Sequence, residues 1–245
     1  MRPMPAAVVC SHPRTNSRQH IALTCQEWQN TAMDFNRLVE IVGDEPIFET
    51  GLLLAGEVDP DQVRRQLTRW TNAGKTYQLR RGLYSLAPPF QKVRAHPFLV
   101  ANRLVPGSVV SLQSALAHYG MIPEYVPTTL SVGAHRPRRW DTPLGSFVFR
   151  HIKTEAISGY QLLDLGQDVK ALVAQPEKAL LDLVYLTPSG DAEEYLRALR
   201  LQHLELLDPG ALLRQARVYR KPKVSRAAER IISLAAEERG GYKTG

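Results

Sequence analysis

The chain has 245 residues, 44% hydrophobic and 22% charged, values of an ordinary globular protein that exclude collagen-like and low-complexity classes. No apolar run approaches the roughly 18 residues of a membrane-spanning helix, and the N-terminus lacks an apolar stretch ending in a cleavage site, so a cytoplasmic protein is expected. The net charge of +7 permits a polyanionic partner, and the two cysteines, Cys10 and Cys25, cannot staple the body together.

Residues 1–33 read as a flexible extension. Residues 1–32 are rich in Ser, Thr, Gln, Asn and Pro without period, and initiation at Met33 would produce the same pattern. From Asp34, a capping residue, Phe35, Leu38, Ile41 and Val42 recur at helical spacing up to Gly43. Ile47 and Phe48 form a short extended piece, and Thr50 caps a brief helix through Leu54 that stops at Gly56. Asp59 before Pro60 opens a third helix, in which Val63, Leu67 and Trp70 make one buried stripe and Gly74 ends it. Its other face carries Gln62, Arg65, Gln66 and Arg69, which project together into solvent. Tyr77 and Leu79, then Leu83, Tyr84 and Leu86, predict two strands joined by the turn Arg80, Arg81, Gly82.

Three helices and a basic-tipped hairpin over 34–87 are the pattern of a winged helix-turn-helix. Residues 88–97, with Pro88, Pro89 and Pro97, read as a linker. Residues 98–245 read as a larger mixed α/β domain, which makes the fold class α+β. Helices are predicted over 98–104, after Ser111 as a cap, from Pro176, over 191–201, 212–216 and 225–236. Strands are predicted around Leu130 and Val132, Phe147 and Phe149, and Val169 to Val173.

Charge is polarised. From Asp59 to Ala87 six bases face two acids, whereas Asp34 to Val58 holds one base and six acids. Positive charge therefore concentrates where a recognition helix and a wing would meet a duplex. Arg can donate two hydrogen bonds to guanine and Gln can pair twice with adenine, so Gln62, Arg65, Gln66 and Arg69 are the base-reading candidates. Thr50, Arg64, Thr68, Lys75, Arg80 and Arg81 are candidates for the DNA backbone. An Arg and Gln stripe alone also suits a solvated helix face; helix lengths, hairpin and polarity together favour DNA. A possible secondary basic surface comprises Arg136, Arg138 and Arg139 beside Trp140, read as a loop, and Arg214, Arg217, Arg220, Lys221 and Lys223.

The seven histidines, His12, His20, His96, His118, His135, His151 and His203, show no metal-ligand spacing, and neither a phosphate loop nor a nucleophile elbow is present. Glu177, Lys178 and Asp182 downstream of Asp168 suggest a metal-dependent nuclease, but Glu177 and Lys178 are adjacent at a helix start, which the helix dipole explains. No catalytic residue, metal or cofactor is expected. A nucleic-acid-processing enzyme and an effector-responsive regulator are the alternative readings.

Five strings, QLTRWTNAGKTYQLRRGLY (Gln66 to Tyr84), SVVSLQSALAHYGMIP (Ser108 to Pro123), TPLGSFVF (Thr142 to Phe149), QPEKALLDLVYL (Gln175 to Leu186) and YLRALRLQ (Tyr195 to Gln202), resemble the AbiEi family of abortive-infection antitoxins. The resemblance spans Asp34 to Leu234, and such proteins commonly lack an extension like 1–32. It implies an antitoxin of a type IV toxin-antitoxin system, a transcriptional repressor whose winged helix-turn-helix binds double-stranded DNA repeats in its own promoter. It also implies a C-terminal antitoxin domain that antagonises a nucleotidyltransferase-like toxin without needing a stable complex, and it carries over no catalytic residue.

Overall fold

The computed structural model describes residues 33–54 and 58–241. The extension expected over 1–33 lies outside these residues up to Ala32, as does the helix stop expected at Gly56. The described residues build a mixed helix and sheet structure of eight α-helices and two sheets.

Helix α1 (Phe35–Val42) starts at Asp34, whose carboxylate accepts from the Arg37 N–H at 2.7 Å, and ends where Gly43 takes a φ of 57°. Strand β1 (Phe48–Glu49) lies one residue later than expected. The brief helix expected here is a 3-10 helix, Thr50–Leu54, rather than a stretch of α-helix. Five residues are too few to repay α-helix nucleation, and the Thr50 N–H is already committed to Gly82 O at 3.0 Å. Helix α2 (Pro60–Asn72) follows Asp59, whose carboxylate accepts from the Asp61 N–H at 2.9 Å. Strands β2 (Thr76–Arg80) and β3 (Leu83–Leu86) pair antiparallel, and the three-stranded sheet runs in the order β1-β3-β2.

A smaller core gathers Leu38, Val42, Phe48, Leu53, Val63, Leu67, Trp70, Tyr84 and Leu86. All four residues of β3 are buried. Tyr84 and Leu86 point into this core, whereas Leu83, with Leu79 and Ile47, packs into the larger core. The small sheet is thus a layer shared by both cores. The segment between them is packed at both ends: Phe90 meets the Phe35 ring edge-on at 4.8 Å, and Ala95 is buried in the larger core. Helix α3 (Pro97–Leu104) begins one residue earlier than expected, at the last residue of the segment read as a linker, with His96 Nδ1 accepting from the Phe98 N–H.

The larger core is built on β4 (Val109–Val110), α4 (Leu112–His118), β5 (Thr128–Gly133), β6 (Arg138–Thr142), β7 (Gly145–His151), β8 (Tyr160–Asp164), β9 (Lys170–Ala174), α5 (Pro176–Leu186), α6 (Glu193–Ala198), α7 (Pro209–Val218) and α8 (Pro222–Gly241). Its sheet runs β6-β7-β5-β4-β9-β8, with β5–β7 and β4–β9 parallel and the other pairs antiparallel. The helix expected over 191–201 is shortened to six residues. Arg136 to Trp140, expected as a loop, enters edge strand β6 at Arg138. Only one neighbour restrains an edge strand, so Arg138, Arg139 and Asp141 carry no apolar alternation that would reveal it. Strand β8, with Leu162 62% exposed, escaped for the same reason. Ser111, expected as a cap, spends its hydroxyl on Asp182 instead, at 2.7 Å. Among the described residues, no helix is long and apolar enough to cross a membrane.

Candidate nucleic-acid interface

Helix α2 buries Val63, Leu67 and Trp70 and turns Arg64, Arg65, Thr68 and Arg69 to solvent. Gln62 and Gln66 flank the buried stripe and are only half-exposed, so the expected four-residue face narrows to its two arginines. The first turn is mixed in sign. Arg64 pairs with Asp61 at 2.7 Å, and Arg65 lies 3.6 Å from Asp59. Both pairs are exposed and contribute little to stability, so an incoming phosphate or guanine can displace them at small cost. Thr68 donates its hydroxyl to Arg64 O at 2.9 Å. Arg69, one turn further on, has no carboxylate partner among the described residues.

The expected backbone set does not converge on one place. Thr50 is half-buried beside the hairpin turn, bonded through its N–H to Gly82, and Arg81 is exposed at that turn. Lys75 sits at the other end of β2, roughly 20 Å away for six extended residues, with Nζ 4.7 Å from the Phe35 ring centroid. Arg80, expected on the DNA backbone, is turned inward. Its guanidinium donates to Arg103 O at 3.3 Å and Arg81 O at 3.1 Å, and lies 3.9 Å from Glu49. Strand alternation causes this: Leu79 and Leu83 dock on the larger core, and the bulge between Gln78 and Arg80 swings the next side chain toward α3.

The secondary basic residues divide. Arg139 is held by Asp141 at 3.0 Å, Arg214 by Asp208 at 3.5 Å, and Lys223 donates to Thr187 O at 3.0 Å. Arg136, Arg138, Arg217, Arg220 and Lys221 are exposed without such a partner among the described residues. Arg138 lies over the Trp140 ring at 5.6 Å.

Two features escaped the sequence reading. Lys178 and Asp182, assigned to a plain helix start, form an ion pair 1% and 0% exposed. The i, i+4 spacing of opposite charges inside an apolar run was the available signal. The second feature is a cleft of about 670 Å3 bordered by His96, Phe98, His118, Tyr125, Leu144 and Phe147. Phe98 meets both imidazoles edge-on, at 4.9 and 5.6 Å. Burial holds both histidines below the usual imidazole value, and for His96 the neighbouring His118 lowers it further. The unfolded chain takes up these protons near pH 6.5 and the folded chain only at lower pH, so stability falls as pH drops below about 6.5. The melting temperature should therefore be lower near pH 5.5 than near pH 7.5, and His118→Asn should shrink that difference. Equal pH dependence in both proteins would refute this assignment.

Among the described residues no three His, Cys, Asp or Glu side chains are grouped to hold a metal; Cys10, His12, His20 and Cys25 lie outside them. No family model and no curated protein matches the chain. Among solved structures, the crystal structure of the RV2827C protein from Mycobacterium tuberculosis is similar, with a TM-score of 0.52 and 19% identity, over 82% of this chain and 76% of that one. At that identity the likeness is one of fold.

Proposed function

We propose that the chain is a DNA-binding antitoxin and autorepressor of the type IV class, with residues 34–87 as a winged helix-turn-helix, 88–97 as a linker and 98–245 as the antitoxin domain. The observation that carries the DNA reading is the exposed cationic edge of α2, Arg65 and Arg69, in a segment where six bases face two acids. In this reading α2 enters the major groove, Arg65 and Arg69 read guanine, and Gln62 and Gln66 reach adenine by rotating off the helix flank. Thr50, Arg64, Thr68, Lys75 and Arg81 hold phosphates, and Arg80 leaves that set. The antitoxin half is supported by the resemblance of the five strings; its functional partner is a nucleotidyltransferase-like toxin.

The test is binding to the DNA upstream of the protein's own gene, against a scrambled duplex, across a salt series. If the three basic side chains of that set, Arg64, Lys75 and Arg81, neutralise phosphates, log K falls with log salt at a slope of about −3. Arg65→Ala should relax sequence preference by about 1–3 kcal/mol, whereas Arg81→Ala should weaken all sequences alike and flatten the slope by about 1. Equal binding to both duplexes by the unsubstituted protein would sink the reading. For the antitoxin half, co-expression must relieve growth arrest by the toxin encoded beside it. The cleft at His96 and His118 favours a second reading, an effector-responsive regulator, which ligand-dependent melting would reveal.

A further inference from the structure

The outer strands of a sheet leave backbone groups without a neighbour, and proteins blunt such edges with short strands, bulges or charge. Three of the four sheet edges among the described residues carry one of these devices. Strand β1 has two residues, β2 is bulged between Gln78 and Arg80, and β6 sets out Arg138, Arg139 and Asp141. Strand β8, the remaining edge, has no charge before its last residue, Asp164, and exposes Tyr160 and Leu162 at 43% and 62%. These two lie two apart and share one face of the sheet with Asp164. Gln161 and Leu163 take the opposite face, where Gln161 donates to the Tyr119 hydroxyl at 3.1 Å and Leu163 packs on the larger core. The register fixes which backbone groups stay open. Gly159 O accepts from the Gln175 N–H at 2.9 Å and the Leu165 N–H donates to Val169 O at 2.8 Å, so the odd-numbered residues of this stretch aim at β9. Leu172, which stands opposite Leu162, turns its own N–H and C=O the other way, to the Asn102 side chain at 2.6 and 3.4 Å. Tyr160, Leu162 and Asp164 therefore direct their N–H and C=O groups to the free edge.

We infer that β8 pairs with β8 of a second copy of this chain, antiparallel about a two-fold axis at Leu162, so that two six-stranded sheets join into one. This goes beyond the proposed promoter contact and does not depend on it. In this register the strand is complementary to itself. Leu162 meets its own copy as a hydrogen-bonded pair, and Tyr160 of each chain meets Asp164 of the other, so all three open residues gain backbone partners. The strand's one charge then faces a tyrosine, and no like charges meet. On the shared face the two Leu162 side chains are direct neighbours and each Tyr160 ring lies diagonal to the opposing leucine, a distance aromatic side chains span. Other registers are poorer: an axis at Asp164 would oppose two carboxylates, and one at Tyr160 would set Leu162 against Ser158, outside the strand. A foreign peptide would satisfy the same backbone groups, but the two-fold match of side chains is specific to a second copy. Five residues a side make a small interface, so the dimer should be weak, with a dissociation constant on the order of 10 μM.

The experiment is sedimentation equilibrium of the full chain, without DNA, between about 1 and 300 μM. The mean mass should rise from one chain toward two across that range. Leu162→Pro removes the N–H on the axis and no bond to β9, so it should leave the melting temperature of the dilute protein nearly unchanged and weaken dimerisation about tenfold or more. Leu162→Lys and Leu162→Glu should each weaken it as well, because like charges then meet at the axis, and an equimolar mixture of the two should dimerise more tightly than either alone. The control, Leu206→Lys, changes an exposed leucine elsewhere and should leave the dimer intact. A chain that stays monomeric throughout overturns the proposal. A dimer that the Leu162 variants leave intact, one that Leu206→Lys weakens equally, or a mixture no tighter than its components does the same. If Leu162→Pro fails to fold, the two charged variants and their mixture decide. Failure of the promoter reading would show separately, as absent preference for upstream DNA in the unsubstituted protein.

Discussion

Asp182→Ala is expected to destabilise the protein by about 3–5 kcal/mol, the usual consequence of stranding one member of a buried ion pair. The Lys178 ammonium donates to Asp182 Oδ1 and, at 2.9 Å, to the Tyr219 hydroxyl. Tyr219 donates in turn to Asp182 Oδ1 at 2.7 Å, and Ser111 to Oδ2 at 2.7 Å. One carboxylate therefore satisfies three donors, drawn from α5, the α7 end and the residue before α4. Burial pushes the Lys178 ammonium below its ordinary value, and the attraction of Asp182 pulls it back. Without Asp182 the lysine must shed its proton or remain charged in an apolar interior, and two hydroxyls lose their acceptor. For a chain of this size the melting temperature should drop by roughly 10 °C. The paired replacement Lys178→Met with Asp182→Leu removes both charges and should cost much less, within about 2 kcal/mol of the unsubstituted protein. Urea unfolding of the three proteins decides it. An alanine variant within about 1 kcal/mol of the original would show that the pair is not held as described.

Trp70→Ala is expected to cost about 3–5 kcal/mol, and the loss should fall on the N-terminal part. Trp70 closes the buried face of α2 and meets Phe35 edge-on at 5.6 Å; Phe35 in turn meets Phe90, and Lys75 lies over it. This core has nine buried residues, so one large aromatic is a substantial share of it. Heating should release α1 and α2 before the larger core unfolds, visible as an early loss of protection of their amides in hydrogen exchange. Leu79 and Leu83 pack on the other side and should keep the hairpin protected longer. Simultaneous loss of protection in α2 and in β5 would show that the two cores unfold as one unit.

Helices were legible where a cap, a proline and an apolar stripe agree. Asp59, Pro60, Val63, Leu67 and Trp70 define α2 to within two residues, and Pro176 opens α5 as expected. Buried strands were equally readable from alternation at Leu130 and Val132 and at Phe147 and Phe149. Edge strands β6 and β8 were not, since half of their environment is water. At the candidate interface the arginines of α2 lie on the exposed face that periodicity predicts, whereas the direction of Arg80 depends on what the hairpin docks against.

Local chemistry thus sufficed for what is written within a few residues: the caps at Asp34 and Asp59, the apolar stripes, the hairpin turn and the polarity of charge between 34–58 and 59–87. Tertiary structure alone decided everything that depends on a distant partner. It sandwiched β3 between two cores, turned Arg80 onto Arg103, sorted the basic residues into paired and unpaired, and buried Lys178 against Asp182 and Tyr219. The reason is physical: a helix cap closes over two or three residues of neighbouring backbone, whereas an ion pair or a docked sheet joins segments that only the folded chain brings together.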